Sequence, residues 1–565
     1  MDPERIPVVV ATGQCESRAF ELTPLELAER AAREALAAAP GLAAALERIT
    51  MVNVLARRAG PRPASDLAKA LGIPEVSCET TSVGGNTPQA MVARAADDIA
   101  RGRLAATMIV GAEAVRSGRI RAPRAAPAQP HPDVVPPPAQ PHRTMAPPPA
   151  HARADVPAPP PAEPDRTPPA RTPAPPALIV ADPDPDPDPE PDPDPVVGTD
   201  RQDLSDEERL AGLLIPLHVY PLFESVLASR AGRSPEQQRA FLGRLLAPFT
   251  EVAASNPHAW FRDARSPGEL STVTPDNRLV VEPYLKRMVS FLGGAQGAAI
   301  VVTSLAVARQ HGLDDGPMFV WSAASASDVW YPVARPDLGR APALELAGRA
   351  ALDAAGVGID DVGLIDLYSC FPSAVQIAAA SLGLSLDEPG RLTVTGGLPD
   401  FGGPGNNYTT HAIACLHDRL RTAADRTVGL VTAVGWYMTK HAVGLYGSYP
   451  PSSPYRTGDT SAGQRAIDRS AHDRVASATK LRTTGTVEAS TVVYSRDGAP
   501  TAAPAIVSLD DGRRAAAVAT PGELAHIAGR FMVGSRVAVE TLASAPASPE
   551  YRVIEETEHE NRSGP

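Results

Sequence analysis

Three stretches gather residue types suited to nucleophilic and oxyanion chemistry: Ser82-Val83-Gly84-Gly85-Asn86, Tyr368-Ser369-Cys370-Phe371, and Gly402-Gly403-Pro404-Gly405-Asn406-Asn407 running on to Thr409-Thr410-His411. A serine hydroxyl or cysteine thiol accepts an acyl group once a base removes its proton, and a thiol ionises far more readily. Ser82 and Cys370 are therefore candidate nucleophiles, with His411 and His441 as candidate bases. Gly84, Gly85 and Gly403 free backbone amides to face a developing oxyanion near a helix start. Asn86, Asn406 and Asn407 offer neutral donors to a carbonyl oxygen. Plain tight turns account equally well for the glycines, helix caps for the asparagines, and packing or capping for the histidines.

In an open α/β sheet the binding crevice lies at the carboxyl ends of strands, so strand-to-helix turns are where such residues belong. The sequence supplies those elements. Ile6 to Thr12 is a β-branched run, and Thr23-Pro24-Leu25-Glu26 opens an Ala-rich helix with a capping box that closes near Gly41. Residues 73–82 read as extended, Thr87-Pro88 starts a helix to about Gly102, and Ala106 to Ala112 is a buried strand. The alternation resumes with a strand over Gln296 to Ala306. It continues through a strand from Met318, a helix over Ala343 to Ala355, a strand over Val362 to Leu367, a helix over Ala374 to Leu382 and a strand over Val428 to Val434. This alternation predicts a mostly parallel sheet with helices on its faces.

Between the two alternating parts the composition changes twice. Residues 121–200 hold 28 of the 61 prolines and end in an Asp-Pro repeat from Asp182 to Pro195, where missing amide donors and carboxylate repulsion predict a disordered or polyproline-like insertion. Residues 201–290 predict an all-helical lobe. The domain reading is 1–120 and 291–450 for the α/β halves, 451–481 as a linker, and 482–556 as a small β-rich domain with hairpin signals at Asp497-Gly498 and Asp511-Gly512.

A net charge of -12, from 53 Lys plus Arg against 65 Asp plus Glu, gives no electrostatic case for nucleic acid or an anionic membrane as partner. The four cysteines, Cys15, Cys78, Cys370 and Cys415, form no C-x-x-C pair. They predict neither structural zinc nor a disulfide framework, and suggest a reduced, cytoplasmic compartment. The acidic start Met1-Asp2-Pro3-Glu4 does not look like a secretory leader, and no apolar run approaches a membrane span.

At its turns the chain resembles the thiolase superfamily, over residues 1–120 and 290–450. Pro74 followed by Ser82-x-Gly84-Gly85 resembles the nucleophile turn C-x-S-G. Tyr368-Ser369-Cys370-Phe371 resembles the N-E-A-F or H-D-C-F turn. Thr393-Val394-Thr395-Gly396-Gly397 with Gly402-Gly403-Pro404 resembles N-x-N-G-G-x4-G-H-P, and Ala433-Val434-Gly435 the terminal C-x-G. The resemblance implies an α/β fold of duplicated thiolase-type αβαβα layers, a helical loop domain over 201–290, and a small OB-like C-terminal β-barrel as an addition. It implies a thiolase-like acyl-CoA acyltransferase, akin to acetyl-CoA acetyltransferases, with coenzyme A or acyl-CoA as ligand and no tightly bound cofactor. It also implies that Ser82, Gly403 and Ala433 stand where thiolases carry the nucleophile cysteine, the G-H-P histidine and the second cysteine. Cys370 matches the H-D-C-F cysteine, associated with proton transfer in sterol-carrier-type thiolases. Arg262, Arg265, Arg278 and Lys286 are candidate nucleotide contacts, although such cations are usually just solvated. The alternative is a catalytically silent acyl-CoA-binding or partner-docking protein, either a homodimer or a chain holding a protein partner through its C-terminal domain.

Overall fold

The computed structural model describes residues 1–55, 60–73, 75–116, 192–199, 201–477, 481–541 and 549–554. Pro74 and most of the insertion expected over 121–200 lie outside the described residues.

The first half is built from β1 (Pro7–Glu16), α1 (Pro24–Ala38), β2 (Arg48–Met51), α2 (Pro63–Leu71), β3 (Ser77–Thr81), α3 (Thr87–Ala100), β4 (Ala106–Ala114) and β5 (Val196–Val197). After a helical lobe the chain returns as β8 (Ala295–Ser304), α8 (Leu305–Gln310), β9 (Met318–Ser327), α9 (Pro342–Ala355), β10 (Val362–Asp366), α10 (Pro372–Leu382), α11 (Tyr408–Thr422), β11 (Val428–Gly435) and β12 (Lys440–Gly447). The main path of the sheet runs β10-β11-β12-β9-β1-β8-β4-β2-β3-β5, the two halves joining where Val8 and Val9 of β1 pair with Phe319 and Met318 of β9. Parallel pairing was expected to dominate, but the sheet is mixed. β2 runs parallel to β3 and β4, and β10 to β11, whereas β1, β8, β9 and β12 pair antiparallel with one another along this path. Alternation along a sequence reports which elements follow one another and leaves strand direction to the crossovers, which is why the expectation failed.

Local chemistry fixes the helices. α1 starts on a capping box in which Glu26 N donates to Thr23 Oγ1 at 3.2 Å and Thr23 N to Glu26 Oε2 at 2.7 Å, with Pro24 in the first turn. Its buried residues Leu27, Ala28, Ala31, Ala32 and Ala35 recur at helical spacing along one stripe. α3 and α11 differ, since each packs on strands of both halves and is buried nearly all round. Their N-termini are thereby fixed inside the molecule, and the turns that precede them become the floor of the site.

The lobe contains α4 (Asp206–Leu210), α5 (Pro216–Arg230), α6 (Pro235–Ser255) and α7 (Pro267–Ser271), but it is not all helical: β6 (Leu279–Val281) and β7 (Tyr284–Leu285) form a small hairpin. That hairpin has its partner at the far end of the chain. β15 (Val493–Tyr494) and β16 (Pro500–Ala502) extend it into a four-stranded sheet, with Val493 opposite Val281. The remaining C-terminal strands, β14 (Arg482–Ser490), β17 (Pro504–Leu509), β18 (Arg514–Ala519), β19 (Arg536–Thr541) and β20 (Pro549–Val553), close into a five-stranded barrel. Within the span expected to be a linker, β13 (Arg456–Thr457) pairs with β9, and α12 (Ser461–Arg469) packs on α9.

Candidate functional site

The turns singled out by sequence meet. Gly84 N donates to Asn406 Oδ1 at 3.0 Å, and Thr409 Oγ1 to the Gly85 carbonyl at 2.7 Å, tying the β3–α3 turn to the loop before α11. A methyl group on Gly85 would lie 2.2 Å from Tyr368 Oη and 2.7 Å from the Val434 carbonyl, so the β10–α10 turn and the end of β11 press on the same point. Only glycine permits that approach. Ser369 Oγ accepts from Leu398 N at 3.2 Å, closing the ring of contacts. Asp366 at the end of β10 anchors the 393–397 turn: its fully buried carboxylate accepts from Thr393 Oγ1, Val394 N, Thr395 N and Oγ1, and Tyr408 Oη at 2.9–3.1 Å.

Two further side chains occupy the centre. Lys440 Nζ donates to the carbonyls of Val83 and Thr199, and its Cε would lie 3.0 Å from a methyl on either Gly84 or Gly435. Asn86 Oδ1 would lie 2.4 Å from the first of these and 2.2 Å from the second, and it has no donor. Next to them Trp436 and Met438 hold φ of 56° and 52°, left-handed backbone at non-glycine residues in the β11–β12 hairpin.

The candidate nucleophiles and bases separate. Ser82 is buried at the end of β3, its amide donating to the Val197 carbonyl at 2.8 Å and its hydroxyl lying against Gly198. It stands before the helix-start turn, with Gly84, Gly85 and Asn86 between it and α3. Cys370 is buried beside the Tyr220 hydroxyl, and burial pushes its thiol up to about 12. His411 Nδ1 meets Gln14 Oε1 at 2.8 Å, its ring packs on Phe401, and burial holds it down at about 3. It makes no hydrogen bond to Ser82 or Cys370. Asn407 Nδ2 donates to the Gly111 carbonyl at 2.6 Å, and Gly403 sits against Ser290, whose amide donates to the Cys370 carbonyl at 3.0 Å. Among the described residues, His441 is the histidine that lines a cavity with Ser82, a space of about 470 Å³ also lined by Asn86, Gly198, Trp330, Lys440 and Gln464.

The sequence reading missed Lys440, Asp366 and the strand β12 that carries Lys440. Leu364-Ile365-Asp366-Leu367 did offer a signal, since an Asp inside an apolar strand needs donors. Arg265, named above as a candidate nucleotide contact, pairs with buried Asp400 at 2.7 Å. Among the described residues no cluster of three or more His, Cys, Asp or Glu could hold a metal, and no helix is long and apolar enough to cross a membrane.

The backbone is close to that of a monomeric SCP2-thiolase like protein type 1 from Mycobacterium smegmatis, at a TM-score of 0.74 and 26% identity over 98% of this chain and 100% of the other. This chain has a thiolase-like fold with a closed C-terminal barrel. The dimeric peroxisomal thiolase of Saccharomyces cerevisiae matches at 0.51 and 14% identity, over 79% of this thiolase-like chain and 98% of the other. An aldolase described as Ltp2-ChsH2(DUF35) matches at 0.52 and 18% over 78% and 97%. These last two show the fold alone. In sequence, the actinorhodin polyketide beta-ketoacyl synthase 2 of Streptomyces coelicolor is 30% identical over 160 residues, 27% of the thiolase-like chain and 37% of that relative. The match therefore spans just over a third of the curated relative's length. No family model matches.

Proposed function

We propose that this thiolase-like protein binds an acyl-CoA thioester where its four turns meet, without forming an acyl-enzyme on Ser82 or Cys370. One observation carries the reading: neither side chain has a histidine or carboxylate within hydrogen-bonding distance among the described residues. A thiol at about 12 is thiolate in only about one molecule in 10⁵ at pH 7. The likeness over nearly the whole chain to an SCP2-thiolase like protein supports thioester recognition. Of the four cations named from sequence, Arg262 and Lys286 are the exposed ones and are proposed to meet a nucleotide. A cytoplasmic protein of acyl-lipid metabolism, with coenzyme A as a passing ligand, fits this chemistry, and the barrel is the surface proposed for a protein partner.

Titration calorimetry with acetyl-CoA and longer acyl-CoAs, beside intact-mass spectrometry, tests the reading. Submicromolar binding with no acylated Ser82 or Cys370 is expected; no binding overturns it. Acyl transfer through Ser82 is the second reading, favoured by the cavity that Ser82 shares with His441. An acyl group trapped on Ser82 and abolished in Ser82→Ala would establish that reading instead.

A further inference from the structure

The cavity of about 470 Å³ beside the meeting point of the turns has a wall whose hydroxyls the fold does not use. β9 ends there in Ser325-Ala326-Ser327, and its backbone is bonded on both sides. Toward β12, Ser325 stands opposite Ala442 and Ser327 opposite Lys440. Toward the segment that leads into α12, Thr460 Oγ1 donates to the Ser325 carbonyl at 2.8 Å. Gln464 does the same for Ser327 with both ends of its amide: Oε1 accepts from Ser327 N and Nε2 donates to the Ser327 carbonyl, each at 2.7 Å. The strand end is thereby fixed without its side chains. Neither serine hydroxyl makes a hydrogen bond among the described residues, and Ser325 is exposed and Ser327 half-buried.

Three more unbonded groups line the same space. Thr199 is exposed, and its carbonyl, not its hydroxyl, accepts from Lys440 Nζ at 3.4 Å. Ser82 Oγ and Asn86 Nδ2 lie at the buried end, also without a partner, and neither is sealed off from the cavity. Asn86 reaches the crevice too, since its Oδ1 lies against Gly84 and Gly435. Ala90, Met91 and Trp330 supply apolar surface, with Trp330 held by Nε1 donating to the Gln202 carbonyl at 2.8 Å and by the Arg201 guanidinium over its ring at 3.9 Å. An unsubstituted alkyl chain entering here would take water from these five groups and give none of them a partner, a cost that rises with each group covered. A chain bearing a hydroxyl returns both a donor and an acceptor, and a serine hydroxyl can pair with either.

We propose that this cavity receives the acyl group of the thioester and selects short acyl groups that carry a hydroxyl over plain alkyl chains, with Ser325 and Ser327 as the specificity-determining residues. For a coenzyme A ester this rests on the proposed thioester reading; the hydroxyl preference of the wall does not.

Titration calorimetry of the full chain with 3-hydroxybutyryl-CoA, butyryl-CoA, octanoyl-CoA and coenzyme A tests it, beside saturation-transfer NMR with methyl 3-hydroxybutyrate and methyl butyrate. 3-Hydroxybutyryl-CoA is expected to bind about tenfold tighter than butyryl-CoA, the factor that one or two net hydrogen bonds supply, and octanoyl-CoA no tighter than butyryl-CoA. Ser325→Ala with Ser327→Ala should erase that margin and leave butyryl-CoA binding unchanged, because the backbone bonds of β9 remain. Ser327→Thr, which keeps a hydroxyl, should retain part of the margin, and thermal unfolding identifies any variant that fails to fold. Octanoyl-CoA binding tighter than 3-hydroxybutyryl-CoA, or a margin that survives the double substitution, overturns the proposal. So does a double variant in which coenzyme A itself weakens as much as its hydroxybutyryl ester, which would put the pantetheine arm in the cavity. If no coenzyme A ester binds but methyl 3-hydroxybutyrate gives a transfer signal that methyl butyrate lacks and the double variant loses, the wall's selectivity stands and the coenzyme A reading falls. Tight and equal binding of butyryl-CoA and 3-hydroxybutyryl-CoA does the reverse.

Discussion

Cys370 lies against the Tyr220 hydroxyl with its thiol pushed up to about 12 by burial, so at pH 8 only about one molecule in 10⁴ is ionised. Iodoacetamide at pH 8 should leave Cys370 unmodified in the native protein over a time that labels it fully in urea, as peptide mass spectrometry will read. His411 is displaced the opposite way, from 6.5 to about 3, with burial the larger cause and His258 adding to it. As pH falls the unfolded chain takes up this proton first, so the native state is penalised progressively between pH 6.5 and about 3 and not above. The displacement corresponds to on the order of 5 kcal/mol at the acid end of that window. Urea unfolding as a function of pH should therefore show a shallower acid decline in His411→Gln than in the wild type. An unchanged slope would mean that other groups set the decline.

β5 adds only two residues to the sheet, yet it covers the edge of β3 next to Ser82, leaving less open backbone for a foreign strand to pair with. Asp194, just before it, holds it down: Oδ2 accepts from Ala64 N at 2.8 Å and Ser65 N at 3.2 Å in the first turn of α2. Asp194→Ala should cost about 1 kcal/mol, as loss of a helix-capping carboxylate does, and speed hydrogen exchange of the Ser82 amide that donates to Val197. Elements of this kind mark the limit of sequence reading. The Ser82–Asn86, Tyr368–Phe371 and Gly402–Asn407 turns were legible because each runs into a helix start, the first two from a strand end and the first and third with glycines. β12 was not: His441 read as a candidate base beyond the last strand and Lys440 as no site residue, and only the fold brings them to Asp328 and the Val83 carbonyl. The β6–β7 hairpin was equally hidden, its neighbour β15 lying some two hundred residues downstream.

The barrel joins the body through that shared sheet and through Glu282, which is buried, accepts from Arg239 and Tyr494, and bonds through its own backbone to Val492 and Thr491. Glu282→Ala strands Arg239 and should destabilise the protein by about 3 kcal/mol, in line with the loss of one partner of a buried pair. Because the sheet crosses the junction, fluorescence of the four tryptophans, all before residue 482, should report the same urea midpoint as amide exchange in β17 and β18. Separate midpoints would make the barrel an independent module. The hairpin holding Trp436 and Met438 gives thermal adaptation an obvious target. Gly or Asn at either position would relax the chain, so laboratory evolution for heat resistance alone should drift there. A selection that also demands ligand handling should not, because the carbonyls of those two residues are what Tyr220 and His441 grip.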